Sequence, residues 1–396
     1  MACAASPAAP PRPEAELKPG SPEWVRAIME RELTLPEQAV PYAVRGHSGT
    51  MLSRGPLKTE TLEAEGMVYF AVDVGANLPF ECYLYDEAVD IATSISQIAD
   101  SVISKTAGEG TIEVKQFVDV GADLVAKRPF LEGMWLYRAR RPEGAQFGAL
   151  KVFGLLTDVQ VSICIHNEPG YAKSFRAWFR DFAAQYRNTT SSTRYQVVEV
   201  SIDRLNDATV GFSRTRAAVD EEGDYRVETQ TSMLIPRNGE AAPVDRFRVV
   251  FADAEGGLIN QIFADAEGSV LNVDPVADGY RVHGTLSGKN VEFPVATQGR
   301  IGSVVTMNRS LQQAARTAGT QEFSFSVHQR EAPDQLTEVE IIEQGPNEDG
   351  LIPFDVRMGP MKINALFEPP GKPVSAKASM GPVQVKSEVV LAEGEW

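Results

Sequence analysis

Two places in this chain bring groups capable of nucleophilic chemistry close together. In the first, Cys164 and His166 stand two apart within an apolar run, residues 159–166. The period-two alternation of a strand puts both on one sheet face, where an imidazole could draw the proton from the thiol. That strand reads as buried and His166 as its rim, so an inert cysteine is expected. In the second place, His47 is followed directly by Ser48 in Arg45-Gly46-His47-Ser48-Gly49-Thr50. Adjacent residues rarely present a base and a hydroxyl to each other in the geometry a dyad needs, which makes this segment a polar loop. The remaining histidines, His283 and His328, fall in alternating strands and are expected at the surface or the rim.

Metal and cofactor chemistry find little support. Cys82 lies in a second strand-like run, and Cys82 and Cys164 are read as buried thiols in preference to a single bridge, because free cysteine packs as a small hydrophobe. Their spacing fits no zinc site. Two acidic turns, Asp253/Glu255 and Asp265/Glu267, offer oxygen ligands of the kind calcium prefers. They fall short of any calcium loop in ligand number and are expected to be solvated. The chain contains no GK[ST] phosphate loop, no GxSxG elbow and no HExxH helix. The sequence therefore assigns no catalytic, cofactor-binding or metal-binding residue, and a non-enzymatic protein is expected. An enzyme with a site assembled from distant loops is the alternative.

Length and composition bound the rest. At 396 residues the chain exceeds the size at which one core keeps growing, so two domains are expected. Its 43% hydrophobic and 23% charged residues are those of a globular protein. With 38 Lys+Arg against 54 Asp+Glu, net −16, nucleic acid and anionic lipid surfaces are poor partners. No run approaches the roughly 18–20 apolar residues of a spanning helix, the best, residues 147–156, being interrupted by Lys151. The body reads as soluble.

The elements follow from periodicity. A Pro/Ala-rich stretch through Pro22 reads as a tether, and a short helix over residues 22–32 follows with Ser21 as its cap. Strands are predicted over 67–74, 79–85, 134–139, 147–156 and 159–166. A helix over 87–105 has apolar residues at three- and four-residue spacing behind an Asp86 cap. A second, capped by Asn167, carries the aromatic stripe Tyr171, Phe175, Trp178, Phe179, Phe182 and Tyr186, a core-packing face. Both helices are expected to cover a single face of one antiparallel sheet. The stretch 188–194, with no apolar side chain, separates an α+β domain over 36–187 from a nearly all-β domain over 195–396, behind a tether and short helix over 1–35. In the latter, Phe251-Ala252-Asp253-Ala254-Glu255-Gly256 recurs as Phe263-Ala264-Asp265-Ala266-Glu267-Gly268, a strand plus acidic turn.

Three resemblances attach to these patterns. The element order of residues ~50–187, closing on a strand and an amphipathic helix, resembles the PsbP-like α+β sandwich. Val210-Gly211-Phe212-Ser213-Arg214-Thr215, Asp224-Tyr225-Arg226-Val227-Glu228-Thr229 and the first acidic turn resemble the opening hairpins of a large curved antiparallel sheet in Gram-negative envelope proteins, similar to LolA-like half-barrels. Met1-Ala2-Cys3-Ala4-Ala5-Ser6 before the Pro/Ala-rich stretch resembles the mature start of a bacterial lipoprotein, with Cys3 as lipid anchor and Met1 an added start. Together they imply a cell-envelope protein, periplasmic or membrane-anchored through lipid, that binds an apolar ligand or a protein partner. A scaffold without small ligand and a cytoplasmic location are the alternatives.

Overall fold

The computed structural model describes residues 21–142, 144–188, 192–297, 299–317, 321–380 and 383–396. Cys3 and most of the tether, and residues 189–191 of the apolar-free stretch, lie outside the described residues. The described chain is mostly β, with large antiparallel sheets and four helices.

Helix α1 (Pro22–Met29) starts as expected, the Ser21 hydroxyl accepting from the Trp24 N–H at 3.2 Å. A hairpin of β1 (Ala39–Val44) and β2 (His47–Leu52) follows. A seven-stranded sheet is then built from β3 (Lys58–Leu62), β4 (Met67–Val72), β5 (Phe80–Tyr85), β6 (Thr111–Val125), β7 (Arg128–Arg141), β8 (Gly144–Leu156) and β9 (Val161–Asn167), in the order β3-β4-β5-β9-β8-β7-β6. Two helices interrupt it, α2 (Ile91–Ala107) and α3 (Ala172–Gln185).

These helices cover opposite faces of the sheet, contrary to the single covered face expected. Phe80, Cys82 and Leu84 of β5 pack with α3, whereas Tyr83 and Tyr85 pack on the α2 side. The cause is visible in the central strands: β9 from Val161 to His166 is buried without alternation, so both its faces need cover. The α2 face is closed further by Ile202, Phe212 and Leu234, so residues on either side of 188–194 share one core.

The helix caps also differ from expectation. The N-cap of α2 is Asp90 rather than Asp86, and its side chain makes no capping bond. The first-turn N–H groups of Ala92 and Thr93 donate instead to Asp245, at 3.2 and 2.8 Å. Helix α3 begins after Tyr171, with Gly170 and Tyr171 both at positive φ, and Glu32 accepts from the Lys173 and Ser174 N–H groups. Asn167 closes β9 instead. A carboxylate at a helix N-terminus satisfies orphan donors wherever in the chain it originates.

Cys82 and Cys164 face each other directly across β5 and β9 and form a disulfide beneath α3. This corrects the reading of buried thiols. Sequence shows two small apolar residues, whereas the register makes them cross-strand neighbours.

Fourteen strands form the second large sheet. The chain meanders outward through β10 (Val197–Leu205), β11 (Ala208–Val219), β12 (Tyr225–Arg237), β13 (Glu240–Ala252), β14 (Leu258–Asp265), β15 (Val270–Val276), β16 (Gly279–Leu286) and β17 (Lys289–Ala296). Helix α4 (Val304–Arg316) then carries it to the opposite edge. From there β18 (Glu322–His328), β19 (Leu336–Glu343), β20 (Ile352–Met358), β21 (Met361–Glu368), β22 (Lys372–Met380) and β23 (Val383–Glu393) walk back until β23 pairs with β10. Val305 of α4 joins the core of the first half, and Leu311, Ala314 and Ala315 join that of the second. The sheet must therefore curve around this helix.

Candidate ligand-binding cavity

What α4 covers is set by its own start. The Ser303 hydroxyl accepts from the Val305 N–H, the Thr306 hydroxyl accepts from the Ser303 N–H, and both hydroxyls donate to the Gly256 carbonyl at 2.7 Å. Gly256 belongs to the first acidic turn and has φ +89°, and a Cβ there would meet Thr306. The turn thus pins the helix across the hollow of the sheet. The sequence reading assigns no helix here, although Ser303 three residues before Thr306, followed by Leu311, Ala314 and Ala315 at helical spacing, is a usable signal.

Between α4 and strands β10 and β20–β23 lies a cavity of about 180 Å³. Leu311, Val356, Ile363, Phe367, Val389 and Trp396 give it an apolar wall, and Ala365, Ala376, Ser201, Ser375 and Ser387 leave the room. The backbone N–H of Trp396 donates to the Gln312 side chain at 3.1 Å, which anchors that wall to α4. Glu199 is the one charged side chain among the described residues that line it. Its carboxyl faces the open space, has no hydrogen-bond or ion-pair partner there, and is pushed up to about 7 by burial.

Glu199 also begins a row across the concave face. Register places Glu199 beside Thr215, Thr215 beside Thr229, Thr229 beside Arg248 and Arg248 beside Phe263. The Thr215 and Thr229 hydroxyls are 3.3 Å apart. A parallel row runs Ser201, Ser213, Thr231, Arg246 and Asp265. Beside it the buried Asp203 accepts from Ser213 and Ser387, both at 2.6 Å. Strand alternation marks these residues as the polar phase, which reads as the solvent side in sequence; here it faces a recess.

Two further spaces are lined by Arg248. A small space of about 60 Å³ is lined by both Met307, which also lines the first cavity, and Arg248. A further one of about 210 Å³ is lined by Arg248, Thr229, Thr231, Phe263, Arg330 and Glu331. Two larger hollows, of about 590 and 460 Å³, are lined by no residue of α4 or of this row.

The residues singled out for chemistry lie elsewhere. Cys164 is held in the disulfide, and His166 is fully buried against Phe80, with ring centroids 4.7 Å apart, not at a rim. Burial pushes its imidazole down to about 4. Nearby Lys151 donates to the Glu168 and Gly170 carbonyls, and burial lowers it to about 7. These groups tie the start of α3 to the sheet and line none of these cavities. His47 is in strand β2 rather than a loop, buried, with Nδ1 2.6 Å from the Tyr186 hydroxyl and Nε2 3.4 Å from Asp86, while the Ser48 backbone bridges to Arg187. His283 meets Asp274 at 2.6 Å. His328 is buried beside Gln261, which places it on the concave side.

The acidic turns are tied by arginine. Asp253 and Glu255 pair with Arg300, and Asp265 pairs with Arg330, while Glu267 stands exposed. Asp253 also accepts the Glu255 and Gly257 N–H groups of its own turn, and Asp265 the Ser269 N–H. Among the described residues no group of three or more His, Cys, Asp or Glu side chains could hold a metal ion, and no helix is long and apolar enough to cross a membrane.

Sheets covered by helices, one of them curved around a cavity, define a mostly β protein with a candidate binding recess. No family model and no curated protein matches the chain. Among solved structures, a β-barrel-like protein of the domain of unknown function DUF1849 from Brucella abortus is similar at a TM-score of 0.37 and 11% identity, over 50% of this chain and 95% of that one.

Proposed function

We propose that the protein is a non-enzymatic binding protein of the cell envelope that takes an apolar group into the cavity under α4. The observation that carries this reading is the cavity itself: an apolar wall, small residues where larger ones would fill the space, and a single unpartnered carboxyl. Its volume, about 180 Å³, exceeds slightly the ~150 Å³ cavity known to hold benzene and falls below the roughly 300–1,000 Å³ of a site for a whole drug-sized molecule. It suits one short chain or ring of a larger ligand.

Two further features support the location. The buried Cys82–Cys164 disulfide is a bond that persists in oxidising compartments and is rare in the cytosol. Ala2-Cys3-Ala4 ahead of a Pro/Ala-rich stretch fits a lipid anchor. The test is mass spectrometry of protein purified from its own cells, native for bound molecules and after proteolysis for the Cys3 peptide. The reading expects an apolar molecule that leaves on organic extraction and an acylated Cys3. Protein carrying neither would contradict it.

A further inference from the structure

We propose that Arg248 is the anion-binding group of the concave face, so that the molecule taken up under α4 is an amphiphile with a carboxylate or phosphate head. The inference rests on the binding reading above and adds the chemistry of the head group. Three arginines line the cavity of about 210 Å³, Arg246, Arg248 and Arg330. Arg330 is paired with the buried Asp265, and Arg246 reaches the Glu331 carboxylate at 4.0 Å. Arg248 alone of the three has no hydrogen bond or ion pair among the described residues. Burial lowers its affinity for the proton, and the charge of Glu331 offsets part of that.

Arg248 is only half-buried, but a guanidinium partly withdrawn from water and left without a hydrogen-bonded partner is costly in the free protein, and an entering oxyanion relieves that cost. Its planar fork matches carboxylate and phosphate oxygens with two parallel hydrogen bonds. Thr229, next to it in register, offers a hydroxyl on the same face. Met307 lines both the apolar cavity and the small space that Arg248 lines, so chain and head have adjoining places. Glu199 lies three strands from Arg248, roughly 14 Å at the backbone, too far to neutralise it.

Calorimetric titration of the full chain at pH 8 with octan-1-ol, octanoate, octyl phosphate and acetate tests this. At least one of octanoate and octyl phosphate is expected to bind ten-fold or more tighter than octanol, and acetate at least ten-fold weaker than octanoate. Arg248→Gln should bring the anionic ligands to the affinity of octanol without changing octanol itself, and Arg248→Lys should keep part of the preference. Equal binding of octanol and both anions by the unaltered protein overturns the assignment and leaves the cavity reading standing. A preference that survives Arg248→Gln overturns it too. Binding of none of the eight-carbon probes overturns both readings.

Discussion

Helices α3 and α4 each lie across an antiparallel sheet with an apolar face turned inward, yet one seals a dry core and the other leaves a cavity. Beneath α3 the sheet offers Phe80, Phe130 and Phe153, whose rings meet Phe175 and Phe179 edge to face or tilted at 4.8–5.5 Å. Beneath α4 it sets Ala365, Ala376, Ser375 and Ser387 among Val356, Ile363, Phe367 and Val389. Interiors are packed to crystal density when side-chain volumes match the gap between layers. The difference between core and recess is therefore one of residue size, not of architecture.

The largest expected effect lies in the sealed layer. Phe175→Ala should cost about 3–5 kcal/mol by urea denaturation, because the rings around it cannot collapse onto the space. A loss under about 1 kcal/mol would mean that layer is not tightly packed. Next comes the disulfide under the same helix. Replacing Cys82 and Cys164 together with alanine should lower stability by about 2–5 kcal/mol, and dithiothreitol should destabilise the unaltered protein but not the double variant.

On the cavity side the expected effect is smaller and depends on pH. Glu199 titrates near 7 in the folded protein against an ordinary 4.5, so between those values the folded state holds the extra proton. Stability from this group is full below about pH 4.5 and declines as pH rises through 7. Glu199→Gln should match the original protein at pH 4 and exceed it by about 1–2 kcal/mol at pH 8, allowing for solvent in the cavity. Parallel stability–pH curves for the two proteins would show that the carboxyl is already solvated or paired.

The same contrast explains what was legible in the sequence. The α3 stripe and the α2 spacing are readable because a buried helix face repeats every three or four residues within one segment. Their caps are not, since Asp245 and Glu32 reach the helices from about 140 to 150 positions away. Strand β6 escapes because its Glu113, Lys115 and Asp119 interrupt any apolar run. The recess is hidden twice. Its walls come from strands that are neighbours in the sheet but lie about 150 or more residues apart in the chain, β10 and β20–β23, and its floor, Glu199 through Arg248, occupies the polar phase that alternation assigns to solvent. The disulfide required the register of β5 on β9, which neither strand encodes alone.

The most direct measurement is the binding of octan-1-ol by calorimetry to the unaltered protein and to two matched variants, Ala376→Leu in the cavity and Ala183→Leu in the dry layer. Ala376→Leu should change stability by less than about 1 kcal/mol and abolish binding, because the added side chain occupies the ligand's space. Ala183→Leu, forced into a filled core, should cost about 1–3 kcal/mol and leave the affinity unchanged. Undiminished octanol binding by a folded Ala376→Leu protein, or no binding by the original, would contradict the claim that the space under α4 is a ligand site.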